Sequence, residues 1–220
     1  MTLEGTNTYV VAATGGVFVI DPGPADPGHA AAVRALADRH GGITGIVLTH
    51  SHLDHTAAVP LLDSAVVEVS GDRAGPFEVL ATPGHAADHV CLLLGPVCFS
   101  GDLILGHGSS YVPPDGGSLA SYLSSLRKLR ERAPELLCPG HGPYVDDPAA
   151  KISEYIEHRL ERERKLLAAL AAGERSRERL LARAWDDVPS GLRATAAAVM
   201  AAHLDKLEAE GALDGIELVE

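Results

Sequence analysis

Five times in the first 141 residues a short apolar run ends and a histidine or aspartate follows within a few positions. Residues 17–20 deliver Asp21, residues 43–48 deliver His50, and residues 77–80 lead through Thr82-Pro83-Gly84 to His85. Residues 97–100 lead through Gly101 to Asp102, and residues 136–138 lead through Pro139-Gly140 to His141. Runs of this length, rich in Val, Ile and Leu and bounded by Gly or Pro, read as buried strands. A chain built this way places its strands in sheets, and the side chains beyond their ends gather on one rim. A lone histidine in a loop carries no functional weight, whereas five histidines and three carboxylates in one context do.

The remaining pattern predicts a mixed α/β (α+β) architecture as far as about residue 148 and helices beyond it. Residues 7–13 and 17–20 flank Thr14-Gly15-Gly16, a hairpin signal, because glycine supplies the positive φ of a tight turn. Residues 27–40 predict an Ala-rich helix stopped by Gly41-Gly42, residues 54–62 a short helix, and residues 65–69, 77–80, 90–94 and 97–99 strands. An amphipathic helix over 118–132 precedes a short strand over 136–138. Residues 149–172 keep apolar positions at helical spacing up to Gly173. Helices over 175–184 and 191–210 and a terminal strand over 213–219 complete the pattern. We divide the chain into residues 1–160 and a small helical, winged-helix-like domain over residues 161–220.

Thirty acidic against 18 basic residues give a net charge of −12, which argues against broad electrostatic capture of nucleic acid or of an anionic membrane. Nine of the 18 nonetheless fall between Lys151 and Arg183, against six acidic residues there. Their plain reading is a solvated helical face laced with charge pairs. The longest strongly apolar segment, residues 90–99, is broken by Gly95-Pro96 and falls far short of the roughly 20 residues of a membrane span. The first 11 residues lack the basic start and apolar stretch of a secretory signal, so a cytoplasmic protein is expected. Cys91, Cys98 and Cys138 form no C-x-x-C pair and read as reduced, buried thiols.

The densest cluster is His50-Ser51-His52-Leu53-Asp54-His55, directly after a strand. Residues i and i+2 of an extended segment point to one side, so His50 and His52 can grip one ion. If the chain then turns into a helix, Asp54 and His55 can face a second ion. Imidazole and carboxylate donors suit Zn²⁺, and also iron or manganese. Neither Ser51 nor Ser109-Ser110 sits in a G-x-S-x-G elbow, so no serine nucleophile is expected.

At these residues the sequence resembles the metallo-beta-lactamase-fold hydrolase superfamily, whose H-x-H-x-D-H motif matches His50 to His55 in full. Asp21, His85 in Thr-Pro-Gly-His, Asp102 in Ser-Gly-Asp and His141 in Pro-Gly-His-Gly follow in the family's order, so the likeness covers roughly residues 1–147. Glu4-Gly5-Thr6-Asn7-Thr8-Tyr9 and Tyr155-Ile156-Glu157-His158-Arg159 look like the beta-lactamase-like protein 2 subgroup. The resemblance implies a four-layer αββα sandwich with two metal ions at one edge of the sheets, and the subgroup's small winged-helix-like domain after it. It implies that His50, His52 and His85 hold the first ion, that Asp54, His55 and His141 hold the second, that Asp102 bridges them, and that Asp21 supports the site from behind. Ala86 stands where the family commonly has Thr, and Ala57-Ala58 where many relatives have glycine; neither change removes a ligand.

Two divalent ions held by two carboxylates and one hydroxide leave a net positive centre, attractive to a carbonyl or anionic substrate. Coordination brings the pKa of water to about 7, which makes a bridging hydroxide the expected nucleophile, with Asp54 orienting it. The leading expectation is a dinuclear zinc hydrolase acting on a small ester, thioester or related acyl substrate. The alternatives are an endoribonuclease on single-stranded RNA, an activity known in the subgroup, and a non-catalytic binding scaffold. Fold alone does not choose among them. The 38 residues between Asp102 and His141 are too few for the inserted domain of the beta-CASP nucleases.

Overall fold

The computed structural model describes residues 5–114 and 116–219. Glu4, at the head of the N-terminal motif, lies outside the described residues. Strands β1 (Tyr9–Ala13), β2 (Gly16–Ile20) and β3 (Ile43–Val47) form one sheet in the order β1-β2-β3, with β1 antiparallel and β3 parallel to β2. Strands β4 (Arg73–Ala74), β5 (Phe77–Ala81), β6 (Val90–Leu94), β7 (Val97–Gly101) and β8 (Leu136–Pro139) form the second in sequence order. Only β7 and β8 run parallel within it.

Alternation along each strand sorts side chains between two cores, because successive residues face opposite sides of a sheet. Phe18, Ile20 and Val47 from the first sheet meet Phe77, Leu92, Phe99 and Cys138 from the second. The residues between them face outward. Val19 and Ile46 pack on Ala30 and Val33 of helix α1 (Pro27–Asp38). Cys91, Leu93, Cys98 and Leu137 pack on helix α3 (Leu119–Arg132) and helix α4 (Pro148–Ala171). The layers are therefore helix, sheet, sheet, helices, the αββα order expected. The three cysteines are free and buried in these cores.

The short helix expected over 54–62 is divided into α2 (Leu53–Thr56) and a 3₁₀ turn, Val59–Leu61. Tertiary hydrogen bonds take over where helical ones would continue: Gly23 N donates to His55 O at 3.0 Å, and Ala58 N donates to Gly23 O at 2.9 Å. Pro60 has no N–H to offer a helix. The strand expected over 65–69 is reduced to one bridge, Val66 against Ile46, because the chain turns at Ser70 to pair with Arg73.

Helix α4 runs unbroken through residue 160. Its C-terminal half joins helices α5 (Arg177–Ala184) and α6 (Arg193–Ala209) around a separate core of Leu166, Leu170, Leu180, Trp185, Met200 and Leu204. The terminal strand expected over 213–219 does not form. Positive φ at Gly211 and Gly215 coils that segment, and only Val219 bridges to Ser176. Among the described residues no helix is long and apolar enough to cross a membrane.

Candidate metal centre

All seven candidate ligands stand at one edge of the two sheets. His50 and His52 follow β3, Asp54 and His55 lie in α2, His85 follows β5, Asp102 follows β7 and His141 follows β8. His50 Nε2 and His85 Nε2 each lie 3.0 Å from His52 Nδ1. Asp54 Oδ2 is 3.4 Å from His141 Nε2 and 3.9 Å from His55 Nε2. Between the two groups, Asp102 Oδ1 is 3.5 Å from His55 Nε2, and Oδ2 is 3.6 Å from His85 Nε2 and 3.5 Å from His141 Nε2. Donors held about 2.1 Å from a tetrahedral ion stand about 3.4 Å apart, so these spacings fit two cations and one shared carboxylate.

The orientation of the rings decides what the cluster can bind. His85 Nδ1 donates to Tyr111 O at 2.6 Å and His141 Nδ1 to Gly5 O at 2.7 Å. Thr49 Oγ1 donates to Asp21 Oδ2 at 2.6 Å and accepts from His50 Nδ1 at 3.0 Å. His55 Nδ1 donates to the same Asp21 Oδ2 at 2.9 Å. Each of these four rings spends its N–H outward, so each neutral ring turns an Nε2 lone pair to the centre. His55 Nε2 and Asp102 Oδ1 are buried with no hydrogen-bond partner among the described residues. Two orphaned acceptors in a ring of lone pairs are the chemistry of a cation site.

Burial, helped by the neighbouring His55 and His89, pushes the His50 pKa well below the ordinary value. Burial also disfavours charge on His55, but Asp102 and Asp21 outweigh it and raise its pKa to about 10, so that Nε2 takes a proton unless a cation takes its lone pair. Asp102 is held far below the usual carboxylate range, its burial outweighed by His141 and His55. The carboxylates thus call for positive charge at a place where most of the surrounding imidazoles face inward as acceptors.

The supporting residues come from further along the chain. Asp21 has φ 48°, a left-handed conformation that non-glycine residues seldom take, and its Oδ1 also accepts from Thr49 N at 2.8 Å. Asn7 donates from its side chain to Pro139 O and Gly142 O, and from its backbone to Gly140 O, while the Tyr9 hydroxyl donates to Pro139 O. The N-terminal motif is thus the cradle of the His141 loop. Gly140 backs the cluster so closely that an added Cβ would sit 2.5 Å from Asp102 Oδ1 and 2.7 Å from His55 Cε1.

The metallo-beta-lactamase superfamily profile matches residues 1–70 and 65–141, which contain all seven side chains. The chain belongs to the metallo-beta-lactamase superfamily. Among curated relatives, the lactamase-like protein adaB of Aspergillus niger is 36% identical over 83% of this chain and 63% of the relative. An Aspergillus fumigatus protein named atrochrysone carboxyl ACP thioesterase is 32% identical over 77% of this chain and 61% of its own length. The chain thus spans less than two thirds of these two relatives. A beta-lactamase-like protein 2 homolog of Drosophila melanogaster is 31% identical over 97% of this chain and 85% of its own. The fold matches a metallo-beta-lactamase family protein of Thermus thermophilus, TTHA1429, with TM-score 0.75 at 21% identity over 94% of this chain and 89% of that one.

Sequence reasoning left His89 undecided between a support for the site and a polar strand start. It is a support: Nε2 accepts from Asp102 N at 3.1 Å, and Nδ1 donates to Thr82 Oγ1 at 2.9 Å. It missed Thr49, although a hydroxyl beside His50 at a strand end was a visible cue. The carbonyls of Gly5 and Tyr111 carry no residue-type signal at all. His107 and Ser51 are exposed, whereas Ser110 is buried and structural, its Oγ donating to Asp102 O at 2.5 Å.

Proposed function

We propose that this chain is a metal-dependent hydrolase of small acyl substrates, thioesters foremost, and that the observation carrying this is the set of Nε2 lone pairs turned on the orphaned Asp102 Oδ1. His50, His52 and His85 would hold one divalent ion, Asp54, His55 and His141 a second, with Asp102 between them. Zn²⁺ suits the donors best, and iron or manganese share the same ligand chemistry. When bound, the ions supply an acidified water as nucleophile and polarise the substrate oxygen.

The chain's own residues do the rest. The Asp54 side chain keeps 27% exposure against 11% for Asp102, so it is the carboxylate placed to orient an incoming water and to accept its proton at a carboxyl oxygen. Asp21, Thr49 and His89 hold His50, His55 and Asp102 still while charge develops. Leu53, Tyr111 and Tyr144, each one to three residues from a candidate ligand or from a residue that holds one, are exposed by 77%, 40% and 64%. An apolar acyl group would find contact there. The thioesterase-named relative supports the same class.

The RNA reading draws on the basic residues between Lys151 and Arg183. Most of them are already engaged: Lys151 with Glu154, Arg162 with Asp187, Arg164 with Glu161, Lys165 with Asp186, and Arg179 with Glu174. Neutralised pairs attract a phosphate backbone weakly. The test is turnover by purified protein loaded in turn with zinc, manganese and iron, on acyl-thioester and ester panels and on a short single-stranded RNA. We expect metal-dependent thioester hydrolysis that falls about 100-fold or more in Asp54→Ala prepared identically. RNA cleavage by the wild type alone, steeply salt-dependent and without acyl turnover, would replace this reading with the nuclease one.

A further inference from the structure

The Tyr155-Ile156-Glu157-His158-Arg159 motif lies beyond the last candidate ligand and has no part in the chemistry above. Tyr155 and Arg159 are four residues apart in α4 and so share one helix face. Both are buried. The Tyr155 hydroxyl accepts from Leu105 N at 3.1 Å and donates to Gly108 O at 2.9 Å. Arg159 Nη2 donates to Ser109 Oγ at 2.9 Å and to Ser110 O, with the guanidinium 5.4 Å from the centre of the Tyr122 ring.

All of these acceptors and donors on the facing side belong to the irregular segment 103–110 between Asp102 and Tyr111, apart from the Tyr122 ring. That segment and Tyr111 touch the centre at three points. Ser110 Oγ donates to Asp102 O at 2.5 Å, Gly106 N donates to His141 O at 2.9 Å, and Tyr111 O holds His85 Nδ1 at 2.6 Å. One loop therefore fixes three of the seven candidate ligands, and one helix face fixes the loop. A backbone without ladder hydrogen bonds needs such outside partners to hold one conformation.

Arg159 makes no ion pair with a carboxylate among the described residues, although its guanidinium is buried. A buried cation without a counter-ion is costly, and an apolar side chain would serve packing alone better. What the guanidinium adds is a planar Nη2 whose N–H groups reach two adjacent residues of the loop, Ser109 and Ser110, while its Nε has no partner among the described residues.

We infer that Tyr155 and Arg159 are positioning residues for the metal centre, setting its metal affinity from the helix that leads into the C-terminal helices. This rests on the metal reading of the centre and not on the identity of the substrate. It is tested by zinc titration against a chromogenic chelator and by the visible spectrum of the cobalt-loaded protein, in Tyr155→Phe, Arg159→Lys, Ser110→Ala and the exposed control Arg164→Ala. The first three should bind at least one ion about tenfold more weakly, with an altered cobalt ligand-field band, and Arg164→Ala should match the wild type. Arg159→Lys keeps the charge and loses the planar Nη2, so its deficit reports geometry. If that variant fails to fold, Tyr155→Phe and Ser110→Ala decide. Unchanged affinity and spectrum in those two, with the wild type binding metal, would overturn this inference alone. A wild type that binds no ion would overturn the metal reading and this inference with it.

Discussion

His89 and His203 are both fully buried imidazoles, and burial pushes the pKa of each down to about 3, yet they sit in opposite circumstances. Behind the metal centre, His89 has both ring nitrogens engaged, one by Thr82 and one by the backbone N–H of Asp102. In the helical tail, His203 has neither nitrogen partnered among the described residues and lies edge-on to Trp185 at 5.6 Å. The rim buries polar groups as a connected network around the candidate ligands and leaves His55 Nε2 and Asp102 Oδ1, which face the centre, without a partner among the described residues. The tail buries one as a packing element. The contrast separates polar burial that shapes a site from polar burial that only costs stability.

Asp21 offers the strongest way to break that contrast. Its carboxylate accepts from Thr49 N, Thr49 Oγ1 and His55 Nδ1, and thereby sets His50 as well. Asp21→Ala should cost about 4 kcal/mol of folding stability and weaken metal binding by about 100-fold, since it strands several buried donors at once. Denaturant unfolding and chelator competition check the two numbers separately. A small loss in both would mean that the network is not the connected unit described.

His89→Leu comes next. It leaves Asp102 N without its partner and Thr82 Oγ1 with only Cys91 Sγ at 3.5 Å, at about 2–4 kcal/mol, with a metal-affinity loss of about tenfold. A stability loss with unchanged metal affinity would reduce His89 to a core residue and narrow the distance between rim and tail.

The rim was legible in sequence because of the way it is built. Strands put their ends at one edge, so His50, His85, Asp102 and His141 announce themselves after apolar runs, and His52, Asp54 and His55 follow within six residues. The αββα layering was legible too, through the resemblance those residues carry. What stayed hidden depends on partners far apart in the chain. The hydroxyl of Tyr155 reaches Leu105 across 50 residues, and the carbonyls that hold His85 and His141 have no side-chain signature. Helix and strand expectations failed where tertiary bonds replaced local ones, as at Ala58 and Gly23, or where glycine coiled the chain, as at Gly211 and Gly215.

The smallest expected effect sharpens the comparison from the other side. Burial first, then the neighbouring Arg159 and Lys206, with His158 and Arg162 after them, hold His203 neutral, with Glu163 Oε2 the opposing charge at 4.0 Å. Its folded pKa of about 3 lies below the unfolded value of 6.5, so the unfolded chain binds the extra proton first. The corresponding stability is fully present above pH 6.5 and is lost as pH falls towards 3. Between pH 7 and pH 5 the wild type should lose on the order of 1–2 kcal/mol from this group. His203→Leu removes both unpartnered nitrogens and the titration, so it should be neutral or more stable by about 1 kcal/mol at pH 7, with a larger margin at pH 5. Denaturant midpoints of the two proteins at the two pH values decide it. A destabilised His203→Leu with unchanged pH slope would mean that the tail, like the rim, makes use of its buried imidazole.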